Sequence, residues 1–316
     1  MKSSKPRSEI ERAILSAALR KQATSSIDLH THSLYSDGSL LPHELITLAA
    51  KVGLTAIALT DHDSTFGILE ALDAGNKLGV EIIPGIELSS ATESGEVLHI
   101  LGYFIDYRDF RLNDALANQG KMRAQTHKDY IIRLNELGFT MTDEDVKDIA
   151  GFGRIGRAHY ARVMMQKGYV NSVAEAFDKY LRVGGPAYLE REVMSPKEAI
   201  RLIHGAGGVA CLAHPMLVGR EFNDLKALIN ELKYIGLDGI EAYYSENSPE
   251  QQKWLLQVAE EFGLLVSGGS DFHAETKPHI ELGSGVDGNL VIPYNLLEPI
   301  RKLHLQRKQS LPRWKK

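Results

Sequence analysis

A rhythm of short, strand-like runs separated by helical segments constrains the fold more than any other feature of this sequence. Thr55–Thr60 is continuously apolar, as a strand buried between layers of helices should be, and Val80–Pro84, Gly208–Ala213, Leu237–Tyr243 and Leu264–Ser267 read as further strands. Segments of helical period separate them. In Pro42–Val52, Leu45, Leu48, Ala49 and Val52 share one face, and Gly53 ends the helix. Helices are also expected at about Thr65–Leu78, Ser195–His204, Asp224–Leu232 and Pro249–Phe262. With Ile27–Thr31 and Val97–Phe104 there are seven strand candidates. The pattern predicts an α/β domain with a parallel sheet, closed or nearly closed into a (β/α)7 barrel. Before Val97 the connection is too short for a helical crossover, so local hairpin-like pairing is expected there.

The rhythm breaks between 107 and 194, where Leu112–Leu137, Thr142–Ile149, Ala158–Lys167 and Val173–Tyr180 all read as helical. The organisation expected is a barrel from 27–106 and 195–300 with a helical insertion over 107–194 that serves as a cap or substrate-binding element. A charged extension over 1–26 carries Ile10, Ile14, Leu15 and Ala18 at helical spacing and lacks the apolar run of a secretory signal. A basic tail over 301–316 contains Arg307-Lys308 and Arg313-Trp314-Lys315-Lys316 and is expected to be solvated.

With a net charge of -5 there is no overall basic field, which argues against long duplex nucleic acid and leaves small phosphorylated ligands open. No apolar run approaches a membrane span. The single Cys211 cannot form an intrachain disulfide; it is expected to be buried, in a cytoplasmic protein.

Chemistry in barrels of this kind collects where strands end. The first strand delivers His30 and His32, whose spacing of two puts both imidazoles on one face, and Asp37-Gly38 follows in a turn. The second ends in Asp61-His62-Asp63 and the third leads to Glu87; His99 lies in the fourth. The fifth ends in His214-Pro215, the sixth in Glu241 and Tyr243, the seventh in Ser270-Asp271-Phe272-His273. Six of the twelve histidines occupy these positions. Any one of them has an ordinary structural use, such as a core histidine for His99 or a helix cap for Asp61. Their joint placement points to metal binding. Imidazole and carboxylate without thiolate suit Mn, Fe or Zn better than Ca, and the ligands exceed what one ion needs. A multinuclear site bridged by a carboxylate is expected.

The segments His30-Thr-His32, Asp37-Gly38, Thr60-Asp-His-Asp63, Pro84-Gly-Ile-Glu87, His99, Ala213-His-Pro215 and Ser270-Asp-Phe-His273 resemble, in order, the motifs of the PHP (polymerase and histidinol phosphatase) family. The resemblance covers about residues 27–105 and 195–275 and implies a distorted seven-stranded barrel holding two or three divalent metal ions, foremost manganese, with iron or zinc as alternatives. It further implies that His30 and His32 hold one metal with Glu87 and Asp271. Glu87 would bridge to a second, with His99 and His214, and Asp37, His62 and His273 would complete a third. Glu87, Asp271 and His273 are read as the catalytic centre. An aspartate at 37, where many histidinol phosphatases of the family carry histidine, and the insertion after His99 bring the chain closer to the nucleotidase branch. Gly153-Arg154-Ile155-Gly156-Arg157-Ala158-His159 resembles that branch's Arg-x-His segment, which nominates Arg157 and His159 as phosphate contacts; Arg154 is a poorer choice. Tyr243 or Tyr244 would line a base pocket or simply pack.

The expected activity is metal-dependent phosphoester hydrolysis by a metal-activated hydroxide. The substrate would be a small nucleotide (3',5'-nucleoside bisphosphate to nucleoside 5'-monophosphate) or short RNA trimmed 5' to 3'. Histidinol-phosphate phosphatase and a non-catalytic, metal-stabilised PHP module are the alternatives.

Overall fold

The structure is a computed structural model that describes residues 27–150, 155–189 and 193–310. The extension over 1–26, Arg154 and residues 311–316 lie outside the described residues. Strands β1 (Ile27–Thr31), β2 (Ala56–Leu59), β3 (Glu81–Ala91), β4 (Val97–Tyr103), β5 (Val209–Leu212), β6 (Gly239–Tyr244) and β7 (Leu265–Gly269) form one sheet in sequence order. The ring closes just beyond β7, where Asp271 N–H donates to His30 O at 2.9 Å and His32 N–H to Phe272 O at 3.0 Å. The result is a nearly closed seven-stranded barrel.

The sheet is mixed, which corrects the parallel expectation. β3 and β4 pair antiparallel as a local hairpin, as the short connection requires, and β4 is also antiparallel to β5. The other neighbours pair in parallel. β3 also runs well past Pro84, so Glu87 lies inside a strand and not at its end.

Helices α1 (Pro42–Val52) and α2 (Ile68–Leu78) follow the first two strands. Then come α3 (Phe110–Glu136), α4 (Asp143–Ala150), α5 (Arg157–Gln166) and α6 (Val173–Ala176), the last continuing into a π-helical turn over Phe177–Leu181. α7 (Pro196–Gly205), α8 (Phe222–Tyr234), α9 (Pro249–Phe262) and α10 (Leu297–Ser310) complete the α-helices of the described residues. Their starts carry the expected chemistry: Ser195 caps α7 and Ser248 caps α9, each with proline next.

Among the described residues, three apolar cores result. Ile27, Leu29, Ala58, Leu101 and the fully buried Cys211 fill the barrel, plugged by Leu290, Ile292, Leu297 and Ile300. Leu45, Ile57, Ile86, Ile203, Leu228 and Leu255 seal helices to the outside of the sheet. Tyr130, Leu134, Val146, Tyr160 and Met164 form a separate core within the insertion. Each fully buried aliphatic side chain contributes about 1.5–3 kcal/mol. α3 belongs to two of these cores: Leu112 and Leu116 pack on the barrel, Tyr130 and Leu134 in the insertion.

The solvated reading of Arg307 is corrected. α10 carries it back to the barrel, where Nη1 donates to Asp238 Oδ2 at 2.6 Å and to Gly208 O at 2.9 Å. Among the described residues, no helix is long and apolar enough to cross a membrane.

Candidate active site

Every histidine and carboxylate nominated as a metal ligand converges on the mouth of the barrel. His30 and His32 leave β1 side by side, their rings 5.1 Å apart, and both are buried. The positions of Gly269 and Gly38 make room for them. A Cβ on Gly269 would collide with His30 Cβ, and one on Gly38 would sit 2.5 Å from His32 O. His62 forms a bridge with Glu87 beside it, and His99 lies on β4 opposite Ser89. Asp63, His214 and Asp271 have φ of 45°, 28° and 58°. Left-handed backbone at three such non-glycine positions costs about 1–3 kcal/mol each, and all three lie at this site.

Glu87, fully buried, is the hub. Its Oε2 lies 3.2 Å from His30 Nε2, 3.2 Å from His32 Nε2 and 3.0 Å from His62 Nδ1. Its Oε1 lies 2.9 Å from His99 Nδ1 and 3.1 Å from His214 Nε2. Asp271 Oδ1 is 3.2 Å from His32 Nε2 and 3.5 Å from His30 Nε2. On the outer side, Asp37 Oδ1 is 3.2 Å from His273 Nε2, and Asp37 Oδ2 is 3.7 Å from His62 Nε2.

His214 Nε2 and Glu87 Oε1 are hydrogen-bonded, but most of this proximity is not hydrogen bonding. His30 Nε2, His32 Nε2, His62 Nδ1, Glu87 Oε2 and Asp37 Oδ1 are buried with no hydrogen-bond partner. Leaving such atoms unsatisfied costs about 1–3 kcal/mol apiece, and a cation among them removes that cost. Among the described residues, three groups have ligand atoms within 4.8 Å of one another: His32, Asp37, His62 and His273; His30, His32 and Asp271; His62, Glu87 and His99. Ligands at about 2.1 Å from one ion stand roughly 3–4 Å apart, so the donor set fits divalent cations. His32 and His62 each belong to two groups, which the strand-end reading did not distinguish.

The supporting residues come from elsewhere in the chain. Glu241 Oε1 lies 3.0 Å from His30 Nδ1, and Glu241 Oε2 accepts the His214 N–H at 2.8 Å. A proton held on His30 Nδ1 leaves Nε2 as a lone pair aimed at the cluster. Asp61 accepts from Ser33 N–H, Ser33 Oγ and Ser36 Oγ, which fixes the loop between His32 and Asp37. Tyr244 packs in the interior and donates to Asp271 Oδ2 at 3.0 Å, so of the two roles considered for it the structure shows packing. Lys277 Nζ reaches the same oxygen at 2.6 Å, and Arg123 Nη1 reaches Asp63 Oδ2 at 2.6 Å. Sequence reasoning missed Lys277 and Arg123. Neither stands at a strand end, and nothing local sets them apart from surface cations.

The fields at the site push neighbouring groups apart. Burial works to raise the Glu87 pKa, but His62, His30 and His99 outweigh it and hold it well below the usual carboxylate range. Burial works to lower His32, yet Asp271 and Glu87 bring it to about 9. His62 is driven down to about 4 by burial, with His32 and His99 adding to the effect against the pull of Glu87.

Beside this cluster a cleft of about 1250 Å³ separates the barrel from the insertion. His62, Asp63 and Ser36 line one wall; Arg123, Arg157 and Tyr188 line the other. The Arg157 guanidinium lies 5.5 Å from the Tyr188 ring centre and 5.8 Å from that of Phe177, and its Nη1 donates to Leu181 O. His159 Nδ1 accepts the Gly156 N–H at 3.0 Å, closing the first turn of α5.

Known proteins share this architecture. A 5'-3' exoribonuclease of Haemophilus influenzae is 36% identical over 264 residues, spanning 84% of this chain and 95% of its own. A 3',5'-nucleoside bisphosphate phosphatase of Chromobacterium violaceum is 32% identical, over 83% and 92% of the two chains. The crystal structure of a Bifidobacterium adolescentis protein assigned as a metal-dependent phosphoesterase superposes with a TM-score of 0.69 at 30% identity, covering 89% of this chain and 97% of that one. The sequence profile of the PHP domain matches residues 28–246, and the chain belongs to the PHP-domain family.

Proposed function

We propose that this protein is a metal-dependent hydrolase of phosphoric esters that removes the 3'-phosphate of nucleoside 3',5'-bisphosphates and trims short RNA from its 5' end. One observation carries the reading: five imidazole nitrogens converge on the two oxygens of a single buried carboxylate, Glu87. Two or three divalent ions, manganese foremost, would be held by His30, His32, Glu87 and Asp271; by Glu87, His99 and His214; and by Asp37, His62 and His273. Bound there, such ions neutralise phosphate oxygens and make hydroxide available near neutral pH.

The chain's own residues do the rest. Glu241 keeps the His30 proton on Nδ1, so the opposite nitrogen is free to ligate. Glu87, Asp271 and His273 keep the reacting centre out of bulk water, since all three are buried. Arg157 offers a guanidinium fork to the second phosphate of a bisphosphate, with His159 two residues on in the first turn of the same helix. The insertion serves as the substrate-binding wall of the cleft. The single buried Cys211 suits a cytoplasmic setting.

A phosphate-release screen with Mn²⁺ across mononucleotides, 3',5'-bisphosphates, 5'-phosphorylated short RNAs and histidinol phosphate tests this. Turnover of the bisphosphates and short RNAs is expected. Turnover of histidinol phosphate alone would replace the proposed substrate, and no turnover by the metal-loaded protein would reduce the site to a structural one.

A further inference from the structure

Two aromatic side chains at the mouth of the cleft are exposed to an extent that folding does not explain. Phe66 is 80% exposed and Tyr35 44%, and their ring centres are 6.4 Å apart. Both line the cleft. Tyr35 lies on the loop that joins His32 to Asp37, and Phe66 stands four residues after His62, so the pair borders two proposed metal groups. The Tyr35 backbone is tied down, its N–H bonded to Ser33 Oγ, which in turn donates to Asp61. The loop is fixed while the ring faces out.

We infer that Tyr35 and Phe66 form a stacking platform for the base of the nucleotide on the 3' side of the scissile phosphate. This subsite rests on the proposed function and deepens it, because a bisphosphate has no such base. Hydrolysis breaks the bond between phosphorus and O3' of the first nucleotide. Water supplies the hydroxyl to phosphorus and a proton to O3'. The first nucleotide leaves as a 5'-monophosphate from the Arg157 side of the cleft, and the remainder, carrying the new 5'-phosphate, lies over the aromatic pair. Aromatic faces suit this because every base offers a π-face, whatever the sequence.

The platform holds one base. Phe66 is the ridge between the cleft and a shallower groove that contains Glu70 and Asp73 with Lys77 and His43. Glu70 already pairs with His43, and the carboxylates make the groove a poor track for further phosphates. The preference for length therefore saturates at the second nucleotide.

The test compares kcat/KM, with Mn²⁺, for a 3',5'-bisphosphate, the matching 5'-phosphorylated di- and triribonucleotides, and a dinucleotide with an abasic second position. Phe66→Ala should lower the ratio of dinucleotide to bisphosphate turnover by about tenfold, Tyr35→Ala by less, and Phe66→Trp should preserve it. The wild type should lose a similar factor on the abasic substrate, on which Phe66→Ala adds little. Equal turnover of di- and triribonucleotide is expected. An unchanged ratio, or an equal loss on the abasic substrate, overturns the platform. So does light scattering that shows Phe66→Ala splitting a dimer, since the patch would then join two copies. Wild-type turnover of bisphosphate alone overturns the platform only; turnover of neither class brings down the proposed function with it.

Discussion

Lys277 Nζ lies 2.6 Å from Asp271 Oδ2, while Asp271 Oδ1 faces His32 Nε2 at 3.2 Å and His30 Nε2 at 3.5 Å. One carboxylate is thus divided between a fixed ammonium and the proposed metal cluster. Removing the partner that orients a ligand typically costs about 10–100-fold in affinity or activity. Lys277→Met should lower kcat/KM for a bisphosphate by roughly tenfold, and Lys277→Arg should lower it less. Steady-state kinetics on manganese-loaded protein decides; equal activity in all three would show that Tyr244 alone suffices to hold Asp271.

Glu87→Gln changes one atom at the hub and leaves five imidazoles without their shared anion. Metal content by mass spectrometry should fall, and phosphoester hydrolysis should drop below detection. Chelation of the wild type should lower its melting temperature, because a ligand bound to the folded state alone stabilises it. A Glu87→Gln protein that retains full metal and full turnover would refute the role given to this residue.

Glu241 touches the cluster only through His30 and the His214 backbone. Glu241→Ala should therefore weaken manganese binding by about 10–100-fold while the fold persists. Metal titration followed by calorimetry, with circular dichroism as the control, measures this.

Arg157→Ala should raise KM for a bisphosphate roughly tenfold with kcat little changed, as loss of uniform binding does. Unchanged kinetics would remove Arg157 from the site.

Away from the site, Asp238 accepts from His204 Nε2 and from both terminal nitrogens of Arg307. Burial works to raise its pKa, but the His204 and Arg307 hydrogen bonds outweigh it and hold the carboxyl below its ordinary value. A folded-state pKa below the unfolded value of about 3.9 means that this stabilisation is complete above that pH. It is lost as pH falls through the depressed folded value. Asp238→Asn should cost about 1–3 kcal/mol at neutral pH and flatten the decline in stability below about pH 4. Denaturant melts at pH 7, 5 and 3 would show it; parallel declines would exclude the pair as the cause.

Much of this was legible in the sequence because a strand repeats every two residues: His30 and His32 had to share a face, and the apolar runs marked where strands end. The direction of β4 relative to β5 was not legible. An apolar run looks the same in either orientation, and the chain between those two strands passes through the whole insertion. Glu241 was visible as a polar strand ending, but its grip on His30 spans 211 positions. Lys277, Arg123 and Arg307 were hidden for the same reason: a cation's partner is a fact of three-dimensional placement. Arg307 looked like tail composition until α10 brought it to Asp238.

The two-core helix α3 has a mechanical consequence. At 27 residues it is about 40 Å long, and its first turns are bolted to the barrel while its last turns carry the insertion. The wall that bears Arg157 is therefore hung from a rigid lever whose angular setting is fixed by the number of residues between Leu116 and Tyr130. Deleting one residue there would swing that wall by about 100° and draw it in by about 1.5 Å, with every metal ligand left in place. Helix length thus acts as a dial by which evolution or design could redirect the same catalytic centre to differently shaped phosphoesters.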